Sequence, residues 1–385
     1  MEFIPFFLVL FVAVIFSAMF RKFHLPWVIA LIIAGVVVGP FGFEVLEINP
    51  VIDFMAQIGL IFLMFMAGLE TKLSSFKEVR SGLLGLSILN ATVPFAVGFG
   101  IGWLFGFGFI ASLVLGIIFI SSSIAVIIPS LEANGLIHTK LGKSITFSVM
   151  IEDILSLVLL SVLLQTVDPI TTLPLPLFYL LLFATLVVLR FLLPILRNFL
   201  SPSKHGRGDA FQQEVRIIFA ILLGTVVSFE LLGLHPIIAG FFAGLVLSDS
   251  IRSTILIEKL RTISYGLFIP IFFIVVGAKT DIGVFLRGSS ELLLVLAVLI
   301  GSMSSKFISG WLGGRISRFS LKESSIIGVA TIPSLSTTLA VAFTAVEFGL
   351  LPGRLITALV VLSMVSVFVS PLLLRFLTRG DYAEA

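Results

Sequence analysis

The sequence predicts an all-α polytopic membrane protein of about thirteen transmembrane helices, arranged as two inverted six-helix repeats. Three observations carry this prediction. The 385 residues are 58% hydrophobic and only 12% charged, with a mean hydropathy of +1.22, too little charge to cover the surface of a soluble protein this long. Apolar runs of bilayer-crossing length, or nearly so, recur from one end of the chain to the other. Basic residues concentrate in alternate loops, as a membrane topology requires.

The runs fall at 3–20, 26–42, 51–70, 82–105, 109–131, 141–167, 173–200, 211–231, 236–248, 262–278, 290–314, 323–346 and 354–377. The first opens MEFIPFFLVLF, with Glu2 and neither a basic flank nor a small-residue cleavage site, so it reads as a retained helix and not a signal peptide. The runs at 26–42 and 236–248 are short or broken by Gly and Pro. The fifth carries SSSIAVIIPS inside an apolar span, the sixth carries Glu152 and Asp153 at its middle, the eleventh carries Lys306, and the twelfth carries TIPSLSTT. The expected organisation is a first repeat over 1–172, a linking helix at 173–200 and a second repeat over 201–385, with no C-terminal soluble regulatory domain.

Assigning alternate loops to one side, beginning after the first helix, collects eighteen Lys and Arg residues, from Arg21 and Lys22 to Arg375 and Arg379. The other side has only Lys279, Arg287 and Arg354. The positive-inside bias puts the N-terminus outside and the C-terminus in the cytoplasm, with the chain in the cell membrane. The net charge of +3 is therefore a topology signal, and no nucleic-acid partner is expected.

The repeat is read from three pairs of segments. LPWVIALIIAGVVVG (25–39) resembles LHPIIAGFFAGLVL (234–247), and IGLIFLMFMAGLETKL (58–73) resembles LFIPIFFIVVGAKTDI (267–282), Gly68 falling on Gly277. LGIIFISSSIAV (115–126) resembles IGVATIPSLSTTLAV (327–341) with one slip. Their common order and an offset of roughly 210 residues set equivalent helices an odd number of spans apart, which inverts one unit relative to the other. Two paired segments are interrupted at the same place: Ser121, Ser122, Ser123 and Pro129 in one, Pro333, Ser334, Ser336, Thr337 and Thr338 in the other. Proline removes a helix hydrogen bond and hydroxyls satisfy the freed backbone groups. Matching breaks point to a midplane site where half-helix ends face each other; proline kinks patched by serine are the alternative.

Few ionisable residues remain deep in the bilayer. Glu152 and Asp153 lie ~18 Å, and Lys306 ~13 Å, from the cytoplasmic ends of their helices at 1.5 Å per residue, so an acid can meet the lysine near the midplane. A carboxylate there costs at least roughly 2.5–3.5 kcal/mol. Adjacent helix residues point about 100° apart, so one acid pairs with Lys306 while the other faces a cavity and competes for a proton or small cation. A buried pair that merely orders the bundle would need only one acid; the second is left over. Cysteine is absent, which removes disulfides and thiolate chemistry. His24, His138, His205 and His235 stand singly, without metal-site spacing.

At these residues the chain resembles the monovalent cation:proton antiporters, in the branch holding Kef-type potassium efflux systems and NapA-type sodium/proton antiporters. The likeness runs from residue 1 to about 378, through LP…IAG…VGP (25–40), IGLIFLMFMAGLE, the Ser/Thr-rich broken helix, the acidic pair, IPIFFIVVG and the later lysine. It implies a NapA-like antiporter fold with two crossed broken helices, a homodimer, and alternating access that exchanges cytoplasmic cations for protons. It implies that Asp153 binds the ion, Na⁺ being the metal expected there, that Glu152 pairs with Lys306, and that Ser122 and Ser123 help complete the ion's shell. The chain departs from the family in having Glu as the first acid, and in a twelfth helix without the acidic pattern many relatives carry.

The reading is thus a secondary transporter, not an enzyme, with no cofactor, carrying Na⁺ (also Li⁺) against protons, membrane lipid being its surroundings. If cation binding frees Lys306 to lose a proton, exchange is electrogenic, and the acid–acid–lysine set tilts that way; if the ion pair stays closed, exchange is one for one. The alternatives are a Kef-type K⁺/H⁺ antiporter, a sodium-coupled organic solute symporter, an intramembrane enzyme using two carboxylates, and a channel. Adjacent acids on one helix suit the enzyme poorly, because such chemistry brings acids together across a site.

Overall fold

A computed structural model describes residues 3–21, 26–70, 81–167, 210–231, 236–248, 253–281 and 288–378, with a few further positions between 177 and 195 and at 251 and 283. Most of the expected linking helix at 173–200 lies outside the described residues, as do loop positions such as Lys22, Lys72, Arg207 and Arg252, and the tail from 379 onward. The described chain is helical. The elements are α1 (Phe3–Arg21), α2 (Trp27–Val38), α3 (Pro50–Glu70), α4 (Ser81–Leu104), α5 (Gly108–Ile120), α6 (Ile124–Ala133), α7 (Lys140–Val167) and α8 (Ala210–Leu231). They continue with α9 (Pro236–Ser248), α10 (Thr254–Ile263), a π-turn (Ser264–Phe268), α11 (Ile269–Ala278), α12 (Ser289–Ile316), α13 (Leu321–Ala330), α14 (Ser336–Glu347) and α15 (Gly353–Thr378). Among the described residues eight helical stretches are long and apolar enough to cross a membrane, Gly108–Ala133 counting as one, and α2 and α9 are shorter apolar helices. The chain is a multi-pass membrane protein.

Local chemistry sets the helix limits. Proline stands at the first position of α3 and α9, where its missing N–H would have had no intrahelical partner. Ser320 and Glu323 form a reciprocal capping box at the start of α13. The fifth run breaks into α5 and α6 because Ser121 and Ser123 are extended, at φ −69°, ψ 147° and φ −90°, ψ 103°. Its counterpart breaks into α13 and α14 across residues 331–335, which hold Pro333. Proline there cannot donate to the helix ladder and disfavours helical backbone at the residue before it. Pro129 sits within α6.

By compactness the chain divides into two units. One comprises residues 1–10, 48–77 and 161–273; the other comprises 11–47, 78–160 and 274–385. These cuts run across the expected repeat boundaries, because a repeat is a relation of sequence and symmetry while a compact unit is a matter of packing. In the first unit α3 lies against α9 so closely that a methyl group at Gly68 would overlap the Phe241 carbonyl, and one at Gly244 the Phe65 carbonyl. Phe62 stacks on Phe268, ring centroids 5.0 Å apart, and meets Phe219 edge-on at 4.9 Å. In the second unit Gly35 and Gly277 serve α2 and α11 in the same way, against the Ile274 and Ile32 carbonyls. Without much hydrophobic drive between helices in lipid, such close backbone approach is a main source of association. The second unit also packs α12 against α4, α13 and α15, and α4 against α5.

Candidate functional site

The two interrupted helices of the second unit cross at their breaks. The Ser123 N–H donates to the Pro333 carbonyl at 2.7 Å, and the hydroxyls of Ser121 and Thr338 lie 2.7 Å apart. Ser122 Oγ is 2.8 Å from the Thr331 carbonyl oxygen, and Ser123 Oγ is 3.5 Å from Ser336 Oγ. Each break thus fills part of the hydrogen-bonding capacity that the other leaves open. Ser121, Ser122, Ser123, Ser334, Ser336, Thr337 and Thr338 are all buried.

Beside the crossing, α7 and α12 bring the deep charges together. Lys306 Nζ lies 2.7 Å from Glu152 Oε2, and both side chains are wholly buried. The ammonium also donates to Ser122 Oγ at 2.8 Å and to the carbonyl of Ile120, the last residue of α5. A cation there meets the negative end of the half-helix dipole.

Glu152 is saturated. Its Oε1 accepts from Asn90 Nδ2 at 2.7 Å and from Ser148 Oγ at 2.8 Å; its Oε2 accepts from Lys306 and lies 2.7 Å from Ser122 Oγ. Ser309 Oγ donates in turn to Asn90 Oδ1 at 2.5 Å. Asp153 differs. It is equally buried, at 1% exposure, yet its Oδ1 has no hydrogen-bond partner among the described residues, and neither does the hydroxyl of Thr337. The Thr337 side chain and the Ser122 backbone N–H face the Asp153 carboxyl. A buried carboxylate oxygen without a donor costs free energy unless something fills the place.

The structure therefore brings Glu152, Asp153, Lys306, Ser122 and Thr337 to one place and separates their situations. The Ser122 hydroxyl is spent on the ion pair, and Ser122 meets Asp153 through its backbone. Pro129 lies within α6, away from the break itself. Asn90, Ser148, Ser309 and the carbonyls of Ile120 and Thr331 were not anticipated from sequence. Two of them left a signal: Asn90 is the lone amide in the 82–105 span, and Ser148 stands one helical turn before Glu152. Among the described residues no three His, Asp or Glu side chains gather around a common point. An ion held here would rest on one carboxylate and neutral oxygens, a hard-ligand set suited to alkali cations.

Comparison with known proteins agrees with this geometry. The profile of the family described as "Sodium/hydrogen exchanger, transmembrane" matches residues 7–380. The chain is 32% identical over 379 residues to the probable Na⁺/H⁺ antiporter 3 of Methanocaldococcus jannaschii, covering 96% of this chain and 95% of that protein. It is 28% identical over 390 residues to the Na⁺/H⁺ antiporter of Enterococcus hirae, covering all of both. Among solved structures, the sodium proton antiporter MjNhaP1 of Methanocaldococcus jannaschii matches with a TM-score of 0.70 over 98% of this chain and 97% of its own, at 17% identity, a likeness of fold.

Proposed function

The chain belongs to the sodium/hydrogen exchanger family, membrane transporters that exchange cations for protons and are not enzymes, and we propose that Asp153 is where its cation and its proton compete. The observation that carries this is the unfilled Oδ1 of a wholly buried Asp153, set beside a Glu152–Lys306 pair whose charges already cancel. The one uncompensated negative charge in the site accepts either a proton or Na⁺, with Li⁺ as the smaller alternative. The Thr337 hydroxyl and backbone carbonyls at the crossing supply further oxygens. A charge in low dielectric is costly, so the loaded site crosses the barrier and the empty one does not. Competition for one carboxylate then couples the two flows without a separate gate.

Around this site we read two inverted repeats working by alternating access. The glycine pairs support the repeat: Gly35 and Gly244, like Gly68 and Gly277, stand 209 residues apart, and the α2–α11 approach corresponds to the α9–α3 approach under that shift. With α8, the α13–α14 pair and the 173–200 segment as the remaining crossings, the chain would span the cytoplasmic membrane about thirteen times. The loop charges put its N-terminus outside and its C-terminus in the cytoplasm. A homodimer in lipid is the assembly that the family resemblance implies.

The test is reconstitution. In proteoliposomes holding a pH gradient, a pulse of Na⁺ or Li⁺ should collapse the gradient, and Asp153→Asn should abolish the effect while the protein stays folded. Full exchange by that variant would remove Asp153 from the mechanism.

A further inference from the structure

In the exchange just described Glu152 carries no cargo, yet it is the most heavily hydrogen-bonded side chain in the site. We propose that Asn90, with Ser148 and Ser309, is a positioning set that fixes Glu152 as the permanent counter-ion of Lys306, so that one proton exchanges per cation. This rests on the reading of Asp153 as the exchange site and deepens it. An ionised carboxylate offers about four acceptor positions. Here four donor groups from four elements occupy or border them: Asn90 from α4, Ser122 from the α5–α6 break, Ser148 from α7 and Lys306 from α12.

Asn90 is held in the orientation this requires. Its carbonyl oxygen accepts from Ser309, and turning the amide over would set that oxygen against Glu152 Oε1. A proton added to either oxygen of Glu152 would have to displace a donor, and the Asn90 amide nitrogen and the ammonium of Lys306 can only donate. Lys306 is filled in the same way: its three N–H bonds meet Glu152, Ser122 and the Ile120 carbonyl. A proton leaving the ammonium would leave one of these acceptors without a donor, at a place where Lys306, Glu152 and Ser122 are all buried.

Proton traffic is thereby confined to Asp153, where one oxygen has no partner. The charge then balances. On one leg the Asp153 carboxylate carries one cation; on the other it carries one proton. Glu152 and Lys306 contribute zero on both, so no net charge crosses per cycle. Composition alone tilts towards electrogenic exchange, because it counts two acids and a lysine but cannot see that three neutral side chains hold one acid in place.

The experiment measures the reversal condition of reconstituted protein, the Na⁺ ratio at which proton flux stops, with membrane voltage clamped by K⁺ and valinomycin. The wild type should reverse where the Na⁺ and proton ratios are equal, at every voltage. Asn90→Ala should make reversal voltage-dependent and shift the pH profile, because Glu152 loses a donor and can take up a proton; Ser148→Ala, which removes the second donor on the same oxygen, should act in the same direction. A wild-type reversal ratio that moves tenfold per about 59 mV, as one net charge per cycle requires, overturns the proposal. So does voltage-independent exchange with an unchanged pH profile in both variants. Absence of any sodium-dependent proton movement in the wild type would strike the exchange site itself and not the positioning set.

Discussion

Replacing Lys306 with alanine tests the energetic core of the site. The substitution removes an ammonium that is 0% exposed and leaves Glu152, also 0% exposed, without its counter-charge. It also deprives the Ile120 carbonyl and Ser122 Oγ of a donor. Removing one partner of a buried pair costs about 3–5 kcal/mol, because the surviving charge stays desolvated. At roughly 2 °C per kcal/mol for a domain of a few hundred residues, Lys306→Ala should melt ~6–10 °C below the wild type in detergent. The pair itself contributes little net stability, since desolvation offsets most of the attraction. The double variant Glu152→Gln with Lys306→Met should therefore recover most of the loss. Thermal unfolding of the monodisperse detergent-solubilised protein reads both. A single variant as stable as the wild type, or a double variant no more stable than the single, would refute the claim that the pair is buried and mutually dependent.

Competition at Asp153 fixes the sign of the pH dependence: as pH falls, a smaller fraction of the site is free for cation, so the apparent KM for Na⁺ should rise, by up to tenfold per pH unit, with the maximal rate unchanged. Initial rates of Na⁺-driven proton movement across a pH series check this, and a falling maximal rate at constant KM would contradict it. At the α3–α9 contact, Gly68→Ala pushes a methyl group into the Phe241 carbonyl and should cost about 1–3 kcal/mol, the usual penalty of overpacking, visible as a lower melting temperature. A neutral outcome would mean that the helices are not held by close backbone approach.

How much of this is legible in the sequence differs from residue to residue. The membrane class, the positions of most spans and the two broken helices follow from local chemistry: apolar length, loop charge, and proline among hydroxyls act over a few residues and leave their mark in the chain. That one of the two acids meets Lys306 is legible too, because few charges lie deep enough to find one another; the residues alone leave open which acid it is, and the family resemblance implies Glu152. The partners of that pair are not legible. Asn90, Ser148 and Ser309 are common side chains in apolar helices, and the signals at Asn90 and Ser148 do not by themselves separate a donor aimed at a carboxylate from one bonded back to its own helix, as Thr225 and Thr344 are. The division of the chain into interleaved units was likewise beyond sequence reading, since packing joins segments 100 and more residues apart.

What the sequence determined by itself is that two acids and one amine must share the interior of the membrane, because burying them apart would cost more than the fold could recover. Only the tertiary structure decided which acid is filled and which is left open. That choice depends on donors delivered by α4 and α12 from far along the chain, and hydrogen bonds are a property of positions in space, not of order along the backbone.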